Sequence, residues 1–165
     1  MLVSRGFVPI KLAQTLKLMV TRMLYDFGIP TLEMPRYIEG DLKELPIPGL
    51  GRSPRYLFQT LGTEWGRRIV HPKVWTDIAI NRIRAEMVKG HSVVVDDMRF
   101  PNELEALTEA GGITVRVVRP GVTALEGHES EGLLDDTPMA YELVNDGTLD
   151  DLAASVATLV EDVRL

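Results

Sequence analysis

Val93-Val94-Val95 runs directly into Asp96-Asp97, and Arg99 follows two residues later, ahead of Pro101. Two adjacent carboxylates can hold Mg²⁺ or the waters around it, and a guanidinium nearby can grip a phosphate through its planar fork. Three consecutive β-branched apolar residues suit a strand buried on both faces, as in a parallel α/β sheet. In open sheets of that class, ligands bind just beyond the carboxyl ends of the strands. Asp96, Asp97 and Arg99 fall in that position. Neighbouring strand residues point to opposite faces, so one aspartate of the pair faces a ligand, and Asp96 is preferred to Asp97. Read without chemistry, the same residues make a strand end and a solvated turn.

A second concentration of charge lies earlier. Residues 52–73 carry Arg52, Arg55, Arg67, Arg68 and Lys73 against Glu64 alone, whereas residues 126–165 carry eleven acidic residues against Arg164. A basic island in a chain of net charge −6 suits a small, multiply charged anion, though charge alone favours a solvated helix face. The overall charge argues against a general nucleic-acid binder. At 165 residues and 45% hydrophobic content the chain is expected to form one domain with a real core. It has no cysteine. That excludes disulfides, thiolate zinc sites and a cysteine nucleophile, and is compatible with the cytoplasm. No membrane partner is expected, because no apolar stretch approaches the length of a span and no signal-peptide pattern opens the chain.

The elements that would position these residues follow from periodicity and punctuation. Phe7–Ile10 reads as a short strand confined by Pro9. Leu12, Leu16, Met19, Val20, Met23, Leu24 and Phe27 keep helical spacing up to Gly28. Pro30, Pro35, Gly40, Pro46, Pro48 and Gly49 interrupt residues 29–52, which read as a long flexible connection with a short helix near 33–38. Ser53-Pro54 starts a helix ending near Gly62, and 63–69 forms a second piece. Pro72 starts a helix that stops at Gly90, with Trp75, Ile78, Ala79, Ile83 and Met87 on one side. Trp65 and Trp75, at helical spacing, are expected in the core. A strand over 92–96, a helix from Pro101 to Gly111-Gly112 and a strand over 113–118 come next. Residues 119–140 read as loop with one short helix, and 141–145 as a strand. Thr148 caps a last helix that buries Leu149, Leu152, Ala153, Val156, Val160 and Val163. Strands alternating with helices predict an α/β fold with a parallel sheet covered on both faces.

Five runs together resemble the bacteriophage deoxynucleoside monophosphate kinases. They are Ser53-Pro54-Arg55 leading to Gln59-Thr60-Leu61-Gly62-Thr63-Glu64-Trp65-Gly66-Arg67; Asp96-Asp97-Met98-Arg99-Phe100-Pro101-Asn102-Glu103; Gly111-Gly112 before a strand; His128-Glu129-Ser130-Glu131; and Asn145-Asp146-Gly147 before the last helix. The resemblance covers roughly residues 5–163. It implies a P-loop-kinase-like fold, a three-layer parallel sheet with helices on both faces, and ATP- and Mg²⁺-dependent phosphorylation of a deoxynucleoside monophosphate (dNMP). Such kinases open with a strand and a G-x-x-x-x-G-K-[ST] phosphate loop. The 165 residues contain no such run, and Gly6 and Gly28 are not followed by it. The first residues look like the end of the helix after that loop. The first central strand of the sheet is then missing, and the upstream reading frame is expected to carry the loop. The neighbouring strand edges must pair with each other, stay bare or be covered by another chain. A homodimer is one way to cover them.

The resemblance also suggests roles. Asp96 is the magnesium-shell acid at a strand end, and Asp97 shares that task or orients the sugar. Arg55, Arg67 and Arg99 are phosphate ligands. Gln59 either reads a base edge through its amide or is a surface glutamine. His128 either closes over the nucleotide or caps a helix. Arg119 either reaches the ATP phosphates or forms a surface ion pair. A non-catalytic nucleotide-binding protein that retains the monophosphate pocket stays open as the alternative.

Overall fold

A computed structural model describes residues 1–121 and 132–163. The chain divides into two compact units. One is built from Ile10–Arg82, the other from Met1–Pro9 with Ile83–Leu165.

The Ile10–Arg82 unit is helical. Helix α1 (Gln14–Asp26) packs against α2 (Met34–Ile38) and α3 (Pro54–Gln59). Val20 and Leu24 of α1 meet Met34, Tyr37 and Ile47 in the core. Residues four apart share a helix face, so Val20 and Leu24 carry the buried stripe. Met19, Met23 and Phe27, expected with them, form an adjacent stripe that is exposed. Segment 29–52 contains the short helix its sequence predicts, as α2, and gives Met34, Tyr37 and Ile47 to the core.

Ser53 caps α3. Its backbone is extended and its hydroxyl accepts from the Tyr56 N–H at 3.2 Å, while Pro54 opens the first turn and is buried. The helix does not break near Gly62. It runs on into a π-helix over Thr60–Val70, whose wide turns end where the His71 N–H donates to the Gly66 carbonyl, five residues back, at 2.9 Å. Packing accounts for this course. Trp75, on α4 (Val74–Val88), is 5% exposed and donates its indole N–H to the Gly62 carbonyl at 2.8 Å. A Cβ at Gly66 would stand 2.5 Å from Trp75 Cζ2, and one at Gly62 would stand 3.1 Å from Leu16 Cδ2. Trp65 is not core. It is 41% exposed, with its ring centroid 6.3 Å from that of Trp75. On α4, Trp75, Thr76, Ala79, Ile80 and Ile83 are buried and Met87 is exposed.

The other unit carries two two-stranded sheets rather than one continuous sheet. Strand β1 (Val8–Pro9) pairs in parallel with β2 (Val93–Val94), Val8 opposite Val93. Pro9 has no N–H to extend the ladder. Strand β3 (Val115–Val118) pairs in parallel with β4 (Tyr141–Val144), Val115 opposite Tyr141. The parallel pairing predicted from the order of elements is therefore present, in shorter strands. Val115 and Val117 are exposed, so β3 is not buried on both faces. Helix α5 (Pro101–Glu109) lies between the two pairs in sequence, and α6 (Leu149–Val163) packs on β4. Helix α6 buries Val156, Leu159 and Val160, while Leu149, expected inside, is 74% exposed. The short helix expected within 119–140 is not among the described residues of that stretch, of which 122–131 lie outside the description.

At the start of α6, Thr148 and Asp151 cap each other. The Asp151 carboxylate accepts from the Thr148 hydroxyl at 2.7 Å and from its N–H at 2.8 Å, and the Asp151 N–H donates to Thr148 Oγ1 at 3.2 Å. A Cβ at Gly147 would stand 2.6 Å from Asp151 Oδ2, so the residue before the cap has no room for a side chain.

Two outcomes follow. Gly66→Ala forces the indole of Trp75 or the π-helix to move and should destabilise the protein by about 1–3 kcal/mol, measured by urea denaturation. The hydrogen bonds from Thr148 hold the Asp151 carboxyl below the usual aspartate range. A lowered folded-state value stabilises the fold above the ordinary aspartate pKa of about 4, and that contribution is lost as pH falls through the lowered value. Asp151→Asn should therefore flatten the acid limb of the stability–pH curve, with wild type losing more stability than the variant on acidification.

Candidate active site

In the sheet-bearing unit, β2 ends at Val94 and the chain runs on through Val95, Asp96, Asp97, Met98 and Arg99 without regular structure until Pro101 opens α5. The strand expected over 92–96 is thus shorter, because its only described partner, β1, offers two residues. Asp96 and Arg99 are exposed and Asp97 is half-buried. The two aspartates thus differ in burial. Their position just past the carboxyl end of a parallel strand is the one expected for a ligand-binding loop. Arg119 follows β3 directly and is exposed.

Among the described residues, no group of three or more His, Asp or Glu side chains could by itself enclose a metal ion. Mg²⁺ takes one or two carboxylates and fills its shell with water and phosphate oxygens. Asp96, the exposed member of the pair, supplies one carboxylate of the kind such an ion takes.

The residue that shapes this loop is one that sequence reading quoted without giving a role. Glu103, the third residue of α5, is 3% exposed. Its Oε2 accepts from the N–H of Arg99 at 2.9 Å and of Phe100 at 3.1 Å. A Pro at the first helical position followed by Glu at the third is a helix-start signature and could have flagged it.

In the helical unit, α3 presents Arg55 and Gln59 four residues apart, on one helix face. Gln59 is exposed and Arg55 half-buried. Arg67 is half-buried on the π-helix. The Arg55 N–H donates to the Lys43 carbonyl at 2.9 Å, which ties the start of α3 to the preceding connection. The Arg55 guanidinium meets Glu44, with Nε and Nη2 both 2.7 Å from Oε1. Two donors on one oxygen use half of the carboxylate. An exposed pair of this kind is worth about 0–1 kcal/mol, so a phosphate monoester of nearly two negative charges can take Glu44's place. Lys17 and Lys43 share Glu39. Burial pushes the Glu39 carboxyl up, but hydrogen bonds from the two ammonium groups outweigh it and hold the group below the usual range.

His128 lies outside the described residues. A cavity of about 300 Å³ lies elsewhere in the sheet-bearing unit, lined by Arg116, Asp135, Thr137, Met139, Tyr141 and Glu142 among others, and none of the described candidate residues lines it. Arg116, which sequence reading passed over, spends its donors there on the carbonyls of Leu134, Asp135 and Thr137.

Comparison with known proteins bears on the same segments. The family model of deoxynucleotide monophosphate kinases matches residues 51–156, a span that holds Ser53-Pro54-Arg55, Gln59–Arg67 and Asp96–Glu103. The deoxynucleoside-5'-monophosphate kinase of Escherichia phage T5 is 31% identical over 118 residues, covering 67% of this chain and 46% of that protein. An uncharacterised protein of Ictalurid herpesvirus 1, ORF77, is 34% identical over 110 residues, 64% of this chain and 47% of its own length. A putative deoxynucleotide monophosphate kinase of Acanthamoeba polyphaga mimivirus is 29% identical over 123 residues, 68% of this chain and 63% of that protein. The chain spans roughly half to two thirds of the length of these relatives. With more than half of its residues matched by the family model, the chain belongs to the deoxynucleotide monophosphate kinase family.

Proposed function

We propose that this chain is the nucleotide-binding part of a kinase that transfers the γ-phosphoryl group of ATP to a dNMP, giving dNDP and ADP. The observation that carries the proposal is the run Asp96–Arg99, delivered past the carboxyl end of β2 and held by Glu103 at the entrance to α5. Phosphoryl transfer asks little covalent chemistry of a protein, so catalysis lies in positioning and charge neutralisation. Arg55, in the helical unit, offers a planar fork to the oxygens of the monophosphate, which becomes the nucleophile, and Arg99, in the sheet-bearing unit, offers one to nucleotide phosphate oxygens. Arg67 adds positive charge, and Gln59, on the same face of α3 as Arg55, reads the base through an amide that both donates and accepts. Asp96, with Asp97 beside it, is the carboxylate for Mg²⁺, which when bound supplies charge neutralisation at the phosphates. Arg119 takes ATP phosphate oxygens, and His128 approaches the nucleotide from a segment outside the described residues.

In this reading residues 1–165 work as one domain of the three-layer kinase type, and β1–β2 and β3–β4 are portions of its parallel sheet. The viral sources of the relatives support a role in nucleotide supply in an infected host's cytoplasm. No described helix is long and apolar enough to cross a membrane. A protein that binds dNMP without turnover is the second reading.

Calorimetry with each of the four dNMPs should show binding of at least one. Arg55→Ala and Arg99→Ala should each weaken it about tenfold to a hundredfold, as loss of a charge-assisted phosphate contact requires. In a coupled ADP-release assay on this chain and on an upstream-extended version, Asp96→Asn should lower kcat, and Arg119→Ala should raise KM for ATP. Binding with no ADP release from either version selects the second reading. No binding to any dNMP contradicts both.

A further inference from the structure

Among the described residues, Glu103 is the one charged side chain that is fully buried, and no step of the proposed chemistry uses it. Carboxylates are rarely buried to this degree unless paired. Its Oε2 accepts from two consecutive backbone amides, those of Arg99 and Phe100. A helix start explains only one of them. The third residue of a helix closes its side of a capping box by accepting from the N-cap N–H, which here is that of Phe100. The Phe100 side chain cannot return the bond, and the Phe100 carbonyl serves instead, accepting from the N–H groups of Glu103 at 3.0 Å and Leu104 at 3.1 Å.

The Arg99 amide lies outside the helix, so the bond to it adds nothing to α5. It fixes the chain one residue before the cap. Pro101 stiffens the same point, since its ring has no N–H and disfavours helical backbone at Phe100, which is extended at φ −116° and ψ 146°. One buried carboxylate therefore grips the loop from β2 at its last two residues, Arg99 and Phe100, one residue past Asp97. A charged acceptor suits this work, because bonds from N–H to carboxylate are about twice as strong as neutral ones.

We infer that Glu103 is a positioning residue. It touches no substrate, and it sets the backbone from which the Arg99 guanidinium and the Asp97 carboxylate project. The inference rests on the reading of Arg99 as a phosphate ligand.

The test compares the full chain as wild type, Glu103→Gln and Glu103→Ala. Glutamine keeps an oxygen acceptor on a side chain of the same length, and alanine removes it. Amide hydrogen exchange at Arg99 and Phe100 is measured by NMR, dNMP affinity by calorimetry and folding by thermal denaturation. The alanine variant should exchange both amides and release the dNMP about tenfold more readily than wild type, as loss of a bond worth ~1–2 kcal/mol implies. The glutamine variant should restore both to within about threefold, because an uncharged acceptor forfeits only part of the bond.

A folded alanine variant that binds dNMP as tightly as wild type overturns the inference, whatever its melting temperature, because the carboxylate then serves the helix alone. Should the alanine variant fail to fold, the glutamine variant decides. Weak binding despite intact exchange at Arg99 and Phe100 places the role in the charge and overturns the inference, while intact binding with intact exchange upholds it. Wild type that binds none of the four dNMPs fails the proposed function. Unaltered exchange in the alanine variant fails the clamp, and the two failures are read on different signals.

Discussion

Wherever this chain enters a helix from a loop, backbone N–H groups are left without the carbonyls of a preceding turn, and each buried one must find another acceptor. Side-chain oxygens meet that demand at three entrances. Ser53 Oγ takes the Tyr56 N–H at α3, Glu103 Oε2 takes the Arg99 and Phe100 N–H groups at α5, and Thr148 with Asp151 closes the start of α6. Two of these entrances carry candidate functional residues. Arg55 stands on the first turn after Ser53, and Arg99 is itself one of the amides held by Glu103. The requirement that backbone polar groups be paired thus sets where the cationic side chains leave the main chain. Their chemistry depends on that local geometry before any ligand arrives.

Electrostatics acts on top of this frame. The chain is acidic overall, and several of its basic residues are paired with exposed carboxylates. Glu44 holds Arg55 through one oxygen, and Glu39 is shared between Lys17 and Lys43. Such exposed pairs keep cations from repelling one another while remaining replaceable by an anion of higher charge. Glu103 belongs to a different regime. It is buried, it accepts from two backbone amides, and its loss would leave those donors without this acceptor.

Much of the fold can be read in the sequence. The caps at Ser53 and Thr148, the proline at the start of α5, the stop at Gly28 and the parallel order of strands rest on local chemistry that a single chain displays. What the sequence hides is set by neighbours. The wide turns over Thr60–Val70 depend on Gly62 and Gly66 lying against Leu16 and Trp75, a contact no periodicity encodes. The strand around Val93 stops at Val94 because β1 offers only Val8 and Pro9 to pair with it. Trp65 and Leu149 are exposed because an apolar residue at helical spacing is buried only where a partner faces it. At the site, the types and order of Asp96, Asp97 and Arg99 were legible and drew attention to the loop. Glu103's hold on two amides and Glu44's hold on Arg55 were not, since each is a matter of which atom lies within 3 Å of which.

The account is tested most directly by ¹H–¹⁵N NMR of the chain titrated with a dNMP and, separately, with the matching deoxynucleoside. If the loop from Asp96 to Phe100 holds the phosphate, its amides shift with the dNMP and stay in place with the unphosphorylated nucleoside. Shifts that are the same for both ligands, or that leave Asp96–Phe100 untouched, would contradict it.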